Sequence, residues 1–167
     1  MDKLNNAAVL ETLKAEFADK IYDITEPKGL LSLHIGREDV LALLGFIKEH
    51  KELQFIYLTD ITAVHYPGRD KEFQVVYHVH SLIHNIRLRV KVNLTKDDLH
   101  IPSATGLWNG ANWMERETYD FYGIDFQGHP DLRRILNVDD MEVFPMRKEY
   151  PLEDPNRVDK KDLYFGR

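Results

Sequence analysis

Between Ile86 and Leu94 the chain alternates without a break. Ile86, Leu88, Val90, Val92 and Leu94 are apolar, and Arg87, Arg89, Lys91 and Asn93 between them are polar. Successive side chains of a strand point to opposite faces, so this segment is a strand with one dry face and one charged face. Two further β-rich segments precede it closely, at Gln54–Val64 and Phe73–His80, separated by the turn Tyr66-Pro67-Gly68-Arg69-Asp70 and by a reversal at Ser81–Asn85. Three strands in succession with short turns point to an antiparallel sheet. Its dry face needs a cover.

Two amphipathic segments supply that cover. Residues 6–18 read as a helix with Asn6 at the N-cap and Leu10, Leu13 and Phe17 on one face. Residues 37–49 read as a second helix, with Val40, Leu43, Leu44 and Ile47 inward. Short strands at Ile21–Thr25 and Leu31–Ile35 lie between them, joined by the turn Glu26-Pro27-Lys28-Gly29. The order helix, strand, strand, helix, strand, strand, strand is α+β. Leu99–Thr105 reads as a loop, and Asn109–Tyr122 as a third helix stopped by Gly123.

From residue 124 the character changes. Four of the seven prolines fall between Pro130 and Pro155, and apolar residues lose any period, yet Ile135, Leu136, Val143, Phe144, Met146, Tyr150 and Leu152 are present. A merely solvated tail carries fewer large apolar groups. The division expected is an α+β domain over 1–123 and an extended C-terminal arm over 124–167 that orders on a partner. The competing reading is an arm that wraps its own domain.

Composition removes several classes of function. The chain has no cysteine, which leaves no disulfide, no thiolate metal site and no cysteine nucleophile. Its net charge is −6, and neither part is basic, which argues against a nucleic-acid phosphate backbone as its main partner. The strip Arg87, Arg89, Lys91 is the local exception and leaves open a binding module for acidic ligands. No segment is long and apolar enough to span a membrane, so membrane association is expected only through partners. The N-terminal residues lack the apolar core of a signal peptide. No Gly-rich nucleotide loop is present.

The densest polar cluster is Glu115-Arg116-Glu117-Thr118-Tyr119-Asp120. Glu117 and Asp120 stand three apart on a helix and share a face, and His129 follows nearby. Such carboxylates can do acid–base work or hold a metal, as in a freestanding metal-dependent hydrolase. The plainer reading is a charge network docking the helix against Arg133, Arg134 or a partner. His78 and His80 point to one strand face, but further ligands for a metal are not evident. Trp108 and Trp113 read equally as interface anchors and as core residues.

The stretch Glu115-Arg116-Glu117-x-x-Asp120-Phe121-Tyr122-Gly123-Ile124-x-Phe126-x-Gly128-His129-Pro130-Asp131-Leu132-Arg133-Arg134-Ile135-Leu136 closely resembles the hallmark of the C-type subunit of NADH:quinone oxidoreductase, respiratory complex I. Phe144-Pro145-Met146-Arg147-Lys148-Glu149-Tyr150-Pro151 resembles the same family's following motif, usually Pro-Leu-Arg-Lys-Asp-Tyr-Pro, with Met146 and Glu149 as mild departures. The resemblance implies a subunit with no redox cofactor of its own, in a proton-pumping translocase whose FMN, iron–sulfur clusters and quinone sit on other subunits. It implies D-type (quinone-site) and B-type (cluster-bearing) partner subunits, with the arm running over the former, on the cytoplasmic side of a bacterial inner membrane. A chain ending at Arg167 is expected to be unfused. The motif's implied role is scaffolding, with Glu115, Arg116, Glu117, Asp120, Gly123, His129, Pro130, Arg133, Arg134, Phe144, Arg147 and Tyr150 as candidate interface residues and no catalytic or metal-binding residue. The matching subunit of a membrane-bound hydrogenase or of a ferredoxin- or F420-type dehydrogenase is the alternative.

Overall fold

The computed structural model describes residues 4–150. The elements run α1 (Asn6–Phe17), β1 (Ile21–Thr25), β2 (Leu31–Ile35), α2 (Val40–Glu49), β3 (Tyr57–His65), β4 (Phe73–Ser81), β5 (Ile86–Leu94), β6 (His100–Pro102), α3 (Ala111–Tyr122) and β7 (Asp125–Gln127). The fold is α+β, and its element order through β5 is the one the sequence implies.

The five-stranded sheet has the order β1-β2-β5-β4-β3. The strands joined by short turns, β3, β4 and β5, pair antiparallel, as do β1 and β2. The antiparallel expectation fails at one joint, because β2 pairs with β5 in parallel and the sheet is mixed. The cause is the connection. After β2 the chain passes through α2 and re-enters at the far edge as β3, running in the same direction as β2. Two antiparallel reversals then bring β5 back beside β2 in parallel.

The alternation along β5 has the consequence its pattern dictates. Leu88, Val90, Val92 and Leu94 are buried in one apolar cluster with Leu31, Leu33 and Ile35 of β2 and Val75, Tyr77 and Val79 of β4. Val9, Leu13 and Phe17 of α1 and Val40, Leu43, Leu44 and Ile47 of α2 complete it. Arg87, Arg89, Lys91 and Asn93 lie on the opposite face, with Arg87 exposed and the rest half-buried. Burying the α2 face alone is worth roughly 2 kcal/mol per large side chain.

Two local expectations need correction. The N-cap of α1 is Asn5, whose Oδ1 accepts from Ala8 N at 2.9 Å. Asn6 instead donates to Glu26 Oε1 and Gly29 O at 2.7 and 2.9 Å, tying α1 to the turn before β2. The loop expected over 99–105 contains β6, which pairs in parallel with β7. A three-residue strand has no period to read.

After β7, residues 128–150 form no regular element, and they lie on the chain's own domain. Met146 N donates to Phe121 O at 3.2 Å, and Lys148 N donates to Nδ1 of the buried His65, at the end of β3, at 2.9 Å. Lys96 and Glu149 pair at 2.8 Å. The remainder of the expected arm, with Pro151, Leu152, Pro155 and Arg167, lies outside the described residues.

Candidate functional site

α3 and the segment behind it form one polar assembly. The side chain of Asp120 is fully buried. Its Oδ1 accepts from Arg134 Nη1 at 2.7 Å and from Asn137 Nδ2 at 3.1 Å. Its Oδ2 accepts the backbone N–H groups of Ile135, Leu136 and Asn137 at 3.1, 2.8 and 2.9 Å. Burial alone would push this carboxyl up, but the N–H of Asn137, the Arg134 guanidinium and the N–H of Leu136 outweigh it and hold the group well below the usual carboxylate range. Arg134 is equally committed. Its Nη1 also donates to Asp120 O at 3.0 Å, Nη2 donates to Met141 O and to Val143 O, and its guanidinium stands 5.1 Å from the Phe144 ring centre.

Arg116, one helical turn earlier, donates to the carbonyls of Arg133 and Arg134 at 3.1 and 2.7 Å. His129 accepts from Asp131 N through Nδ1, so its Nε2–H donates to Asn112 O at 3.0 Å. Arg147 donates to Tyr122 O at 2.7 Å and stacks over Phe144 and Phe73, at 4.5 and 5.2 Å.

Gly123 ends α3 in the left-handed region, with φ 72° and ψ 31°, and its N–H returns to Tyr119 O. A Cβ there would stand 2.6 Å from Phe144 Cε2 and against the Arg147 guanidinium. Glycine is required twice over, for the turn and for the close passage of the C-terminal segment.

Glu115 faces the other way, into the domain, fully buried. It accepts from Ala104 N at 2.6 Å and lies 2.6 Å from Ser103 Oγ. Burial pushes its carboxyl up to about 7, opposed by the bonds from Ser103 and Ala104. The buried Tyr77 hydroxyl has no hydrogen-bond partner among the described residues, and burial, then the Glu115 charge, raises it well above the ordinary phenol value.

The grouping of Glu117, Asp120 and His129 as an acid–base or metal triad is not assembled. Asp120 is saturated under the C-terminal segment, Glu117 is exposed, and both ring nitrogens of His129 are engaged by backbone. No group of three His, Asp or Glu side chains gathers as a metal site among the described residues. His78 accepts from Arg89 Nε at 2.8 Å, and His80 bonds Asn85. The two tryptophans divide. Trp108 is buried and donates to Ile56 O at 2.9 Å, whereas Trp113 is 59% exposed, beside a cleft of about 510 Å³ lined by Gly106, Asn109, Gly128 and Pro130. Arg133 and Pro130 are exposed; Phe144 and Tyr150 are half-buried.

Residues 33–156 match the family described as the 30 Kd subunit of respiratory-chain NADH dehydrogenase. The chain belongs to that family. It is 47% identical over 163 residues to the C-type subunit of NADH-quinone oxidoreductase from Citrifermentans bemidjiense, covering 98% of this chain and 97% of that protein. Among solved structures it is similar to a trypsin-resistant fragment of Nqo5, at 34% identity and TM-score 0.64, covering 75% of this chain and 98% of the fragment. A chain of the archaeal membrane-bound sulfane sulfur reductase, a respiratory membrane complex, shares the fold at 22% identity and TM-score 0.75, covering 87% of this chain and 85% of that one.

In this family member the hallmark motif has an internal use. Asp120, Arg134, Arg116, Gly123 and Arg147 fasten the C-terminal segment to α3. Asn137, His65 and Lys96 also hold the C-terminal segment, to α3, β3 and the turn after β5, and Ser103 holds Glu115; none of these partners is apparent from the sequence. Each bonds through backbone or across more than ten residues, and nothing in local spacing marks such a partner. No helix of the described residues is long and apolar enough to cross a membrane.

Proposed function

We propose that this chain is a non-redox subunit of the peripheral arm of a proton-pumping NADH:quinone oxidoreductase, whose contribution is positional. It holds a D-type, quinone-site subunit and a B-type, cluster-bearing subunit in fixed relation on the cytoplasmic side of a bacterial inner membrane. The flavin, iron–sulfur clusters and quinone belong to other subunits.

The observation that carries this reading is the internal consumption of the motif's polar groups. The Asp120 carboxylate accepts five hydrogen bonds within the chain and both Arg134 Nη atoms donate within it, so the buried pair is engaged internally and Asp120 is not free to bind substrate or metal. A buried charge costs several kcal/mol unless paired, and such a pair specifies one geometry more than it stabilises. The geometry so specified leaves Trp113, Leu136, Val138 and Met146 exposed at 59, 65, 63 and 48%. Large apolar groups displayed on a rigid frame mark a surface for association. The identity to C-type subunits of NADH-quinone oxidoreductase over nearly the whole length favours this assembly over the hydrogenase-type relative.

The test is purification of the tagged chain from gently solubilised membranes, with identification of the co-purifying subunits and assay of NADH:quinone activity. The expected result is an iron–sulfur and flavin-containing assembly with NADH activity. Arg133→Glu and Glu117→Lys alter exposed charges and are expected to abolish assembly while the isolated chain stays folded. Normal assembly of both variants, or recovery of a lone protein, overturns the proposal.

A further inference from the structure

On the sheet face opposite the helices, charge is distributed unlike the rest of this acidic chain. Arg87, Arg89 and Lys91 project from alternate positions of β5. By register Arg87 stands opposite His80, Arg89 between Ser32 and His78, and Lys91 between His34 and Val76. At the Lys91 end the face dips into a cup of about 310 Å³ whose lining includes Asp23, His34, Arg69, Lys71, Gln74 and Lys91. None of Arg69, Lys71, Arg87, Arg89 and Lys91 has a carboxylate within 4.0 Å among the described residues. Arg69 rests instead on the Tyr66 ring, 4.0 Å from its centre.

The floor of the cup is built and oriented. The His34 side chain is 6% exposed, with Nδ1 3.0 Å from Asp23 Oδ2 and the ring stacked on Tyr22. Its Nε2 lies 3.0 Å from Gln74 Nε2, which also donates to Asn93 Oδ1 at 2.8 Å. With the Asn93 oxygen occupied by that bond, its amide N–H₂ remains as donor. Asp23 reaches His34 from a bulge in β1, where its own φ is 46°. Among the described residues Asp23 is the one carboxylate lining the cup, against Arg69, Lys71 and Lys91; it approaches His34 and not the cations, so the cup keeps an excess of positive charge.

We propose that this face is a docking surface for an acidic, extended polypeptide segment of a partner protein, with one carboxylate seated in the cup between Arg69, Lys71 and Lys91 and further carboxylates along Arg89 and Arg87. The row beyond the cup selects a polypeptide over a small anion. Side chains at alternate strand positions are about 7 Å apart, the spacing of like-facing carboxylates on an extended acidic chain. A free phosphate would engage the cup alone. Cations without a carboxylate partner, Arg89 and Lys91 among them half-buried, set orientation and association rate as well as affinity when they meet carboxylates.

The test uses the isolated full-length chain and a fluorescein-labelled hexaglutamate peptide, read by anisotropy. Binding is expected to weaken about tenfold or more between about 20 and about 200 mM salt. The double variant Arg69→Gln/Lys91→Gln is expected to weaken it about tenfold at low salt. Lys14→Gln/Lys51→Gln removes the same charge from exposed positions on the helical side and is expected to leave binding within about twofold. Equal losses in both double variants would mean non-specific attraction and overturn the proposal. So would inorganic phosphate or pyrophosphate binding in the cup while hexaglutamate binds no better than glutamate, which would make it a small-anion site. Because the readout is peptide binding by the chain alone, failure here is distinct from failure to assemble in membranes.

Discussion

Asp120 and Arg134 meet at 2.7 Å with their side chains 0 and 8% exposed, and the same carboxylate caps three consecutive backbone N–H groups of the segment that carries Arg134. One side chain thus holds both a charge and a fold of main chain. Asp120→Asn leaves Arg134 without its counter-charge in a buried place and is expected to cost about 3–5 kcal/mol. Arg134→Met should be similarly costly, whereas the double variant should cost less than the sum of the two by at least about 1 kcal/mol. Urea denaturation of the four proteins completes the cycle, and strict additivity would show that the pair is not coupled. The low Asp120 pKa adds a sign. Its stabilisation is whole above the ordinary carboxylate range and is lost as pH falls through the depressed folded value, so wild type should lose stability in acid and Asp120→Asn should not share that loss.

Glu115 has the opposite sign. Its carboxyl is raised from 4.5 to about 7 by burial, so the folded chain holds a proton there that the unfolded chain has released. Stability therefore falls as pH rises from about 4.5 to about 7, by roughly 3 kcal/mol at about 1.4 kcal/mol per unit. Glu115→Gln keeps an acceptor for Ala104 N and a donor for Ser103 Oγ, and should flatten that slope and match or exceed wild type at pH 8. Glu115→Ala strands the buried Ala104 N–H and opens a cavity, costing about 2–4 kcal/mol at every pH. An unchanged slope in Glu115→Gln would remove Glu115 as its source.

Beside it, the unpartnered Tyr77 hydroxyl is buried at a cost of about 1–3 kcal/mol. Tyr77→Phe keeps the ring in the core and removes the unmet polar atom. It should raise the denaturation midpoint by the equivalent of about 1 kcal/mol. A loss of stability would mean that the hydroxyl has a partner after all.

What is legible in the sequence follows from which forces act locally. β5 and α2 announce themselves because burial on one face imposes a period, and Val40, Leu43, Leu44 and Ile47 are all fully buried. That period decides a side chain's face but not its neighbouring strand, so it does not reveal the parallel β2–β5 joint. The network between α3 and the following arginines is legible in kind, though nothing in two adjacent arginines distinguishes buried Arg134 from Arg133, which is exposed and pairs with Asp131. Ser103 and Ala104, eleven or twelve residues before Glu115, carry no mark at all, since a backbone N–H is offered by every residue but proline.

Gly123 permits a separation of strain from crowding. Gly123→Ala forces a Cβ into the left-handed region at about 1 kcal/mol and drives it into Phe144 and Arg147 at about 1–3 kcal/mol more. Gly29 also has positive φ, 77°, but nothing within 4 Å of the added carbon. Gly29→Ala should therefore cost about 1 kcal/mol and Gly123→Ala about 2–4 kcal/mol. Faster amide exchange at Lys148 in Gly123→Ala alone would show that the crowding lifts the C-terminal segment off α3; equal midpoints for the two variants would sink the idea.

Trp113 and Trp108 stand five residues apart and make opposite predictions. Trp108 is buried, with its indole N–H on Ile56 O, so Trp108→Ala should destabilise the isolated chain by about 3–5 kcal/mol. Trp113 is mostly exposed on α3, one turn from the exposed Glu117, and contributes little to the fold. Trp113→Ala should leave the denaturation midpoint within about 0.5 kcal/mol of wild type. If this side of α3 faces another subunit, the same substitution should sharply reduce recovery of partners from membranes, because a large aromatic side chain on an otherwise rigid surface is the kind of residue on which association energy concentrates. The two readouts answer different questions. Lost stability in Trp113→Ala would move the residue into the fold's own energetics. Wild-type assembly in a fully stable Trp113→Ala would take it out of the interface and leave Leu136 and Val138, on the segment that Asp120 holds in place, as the surface to test.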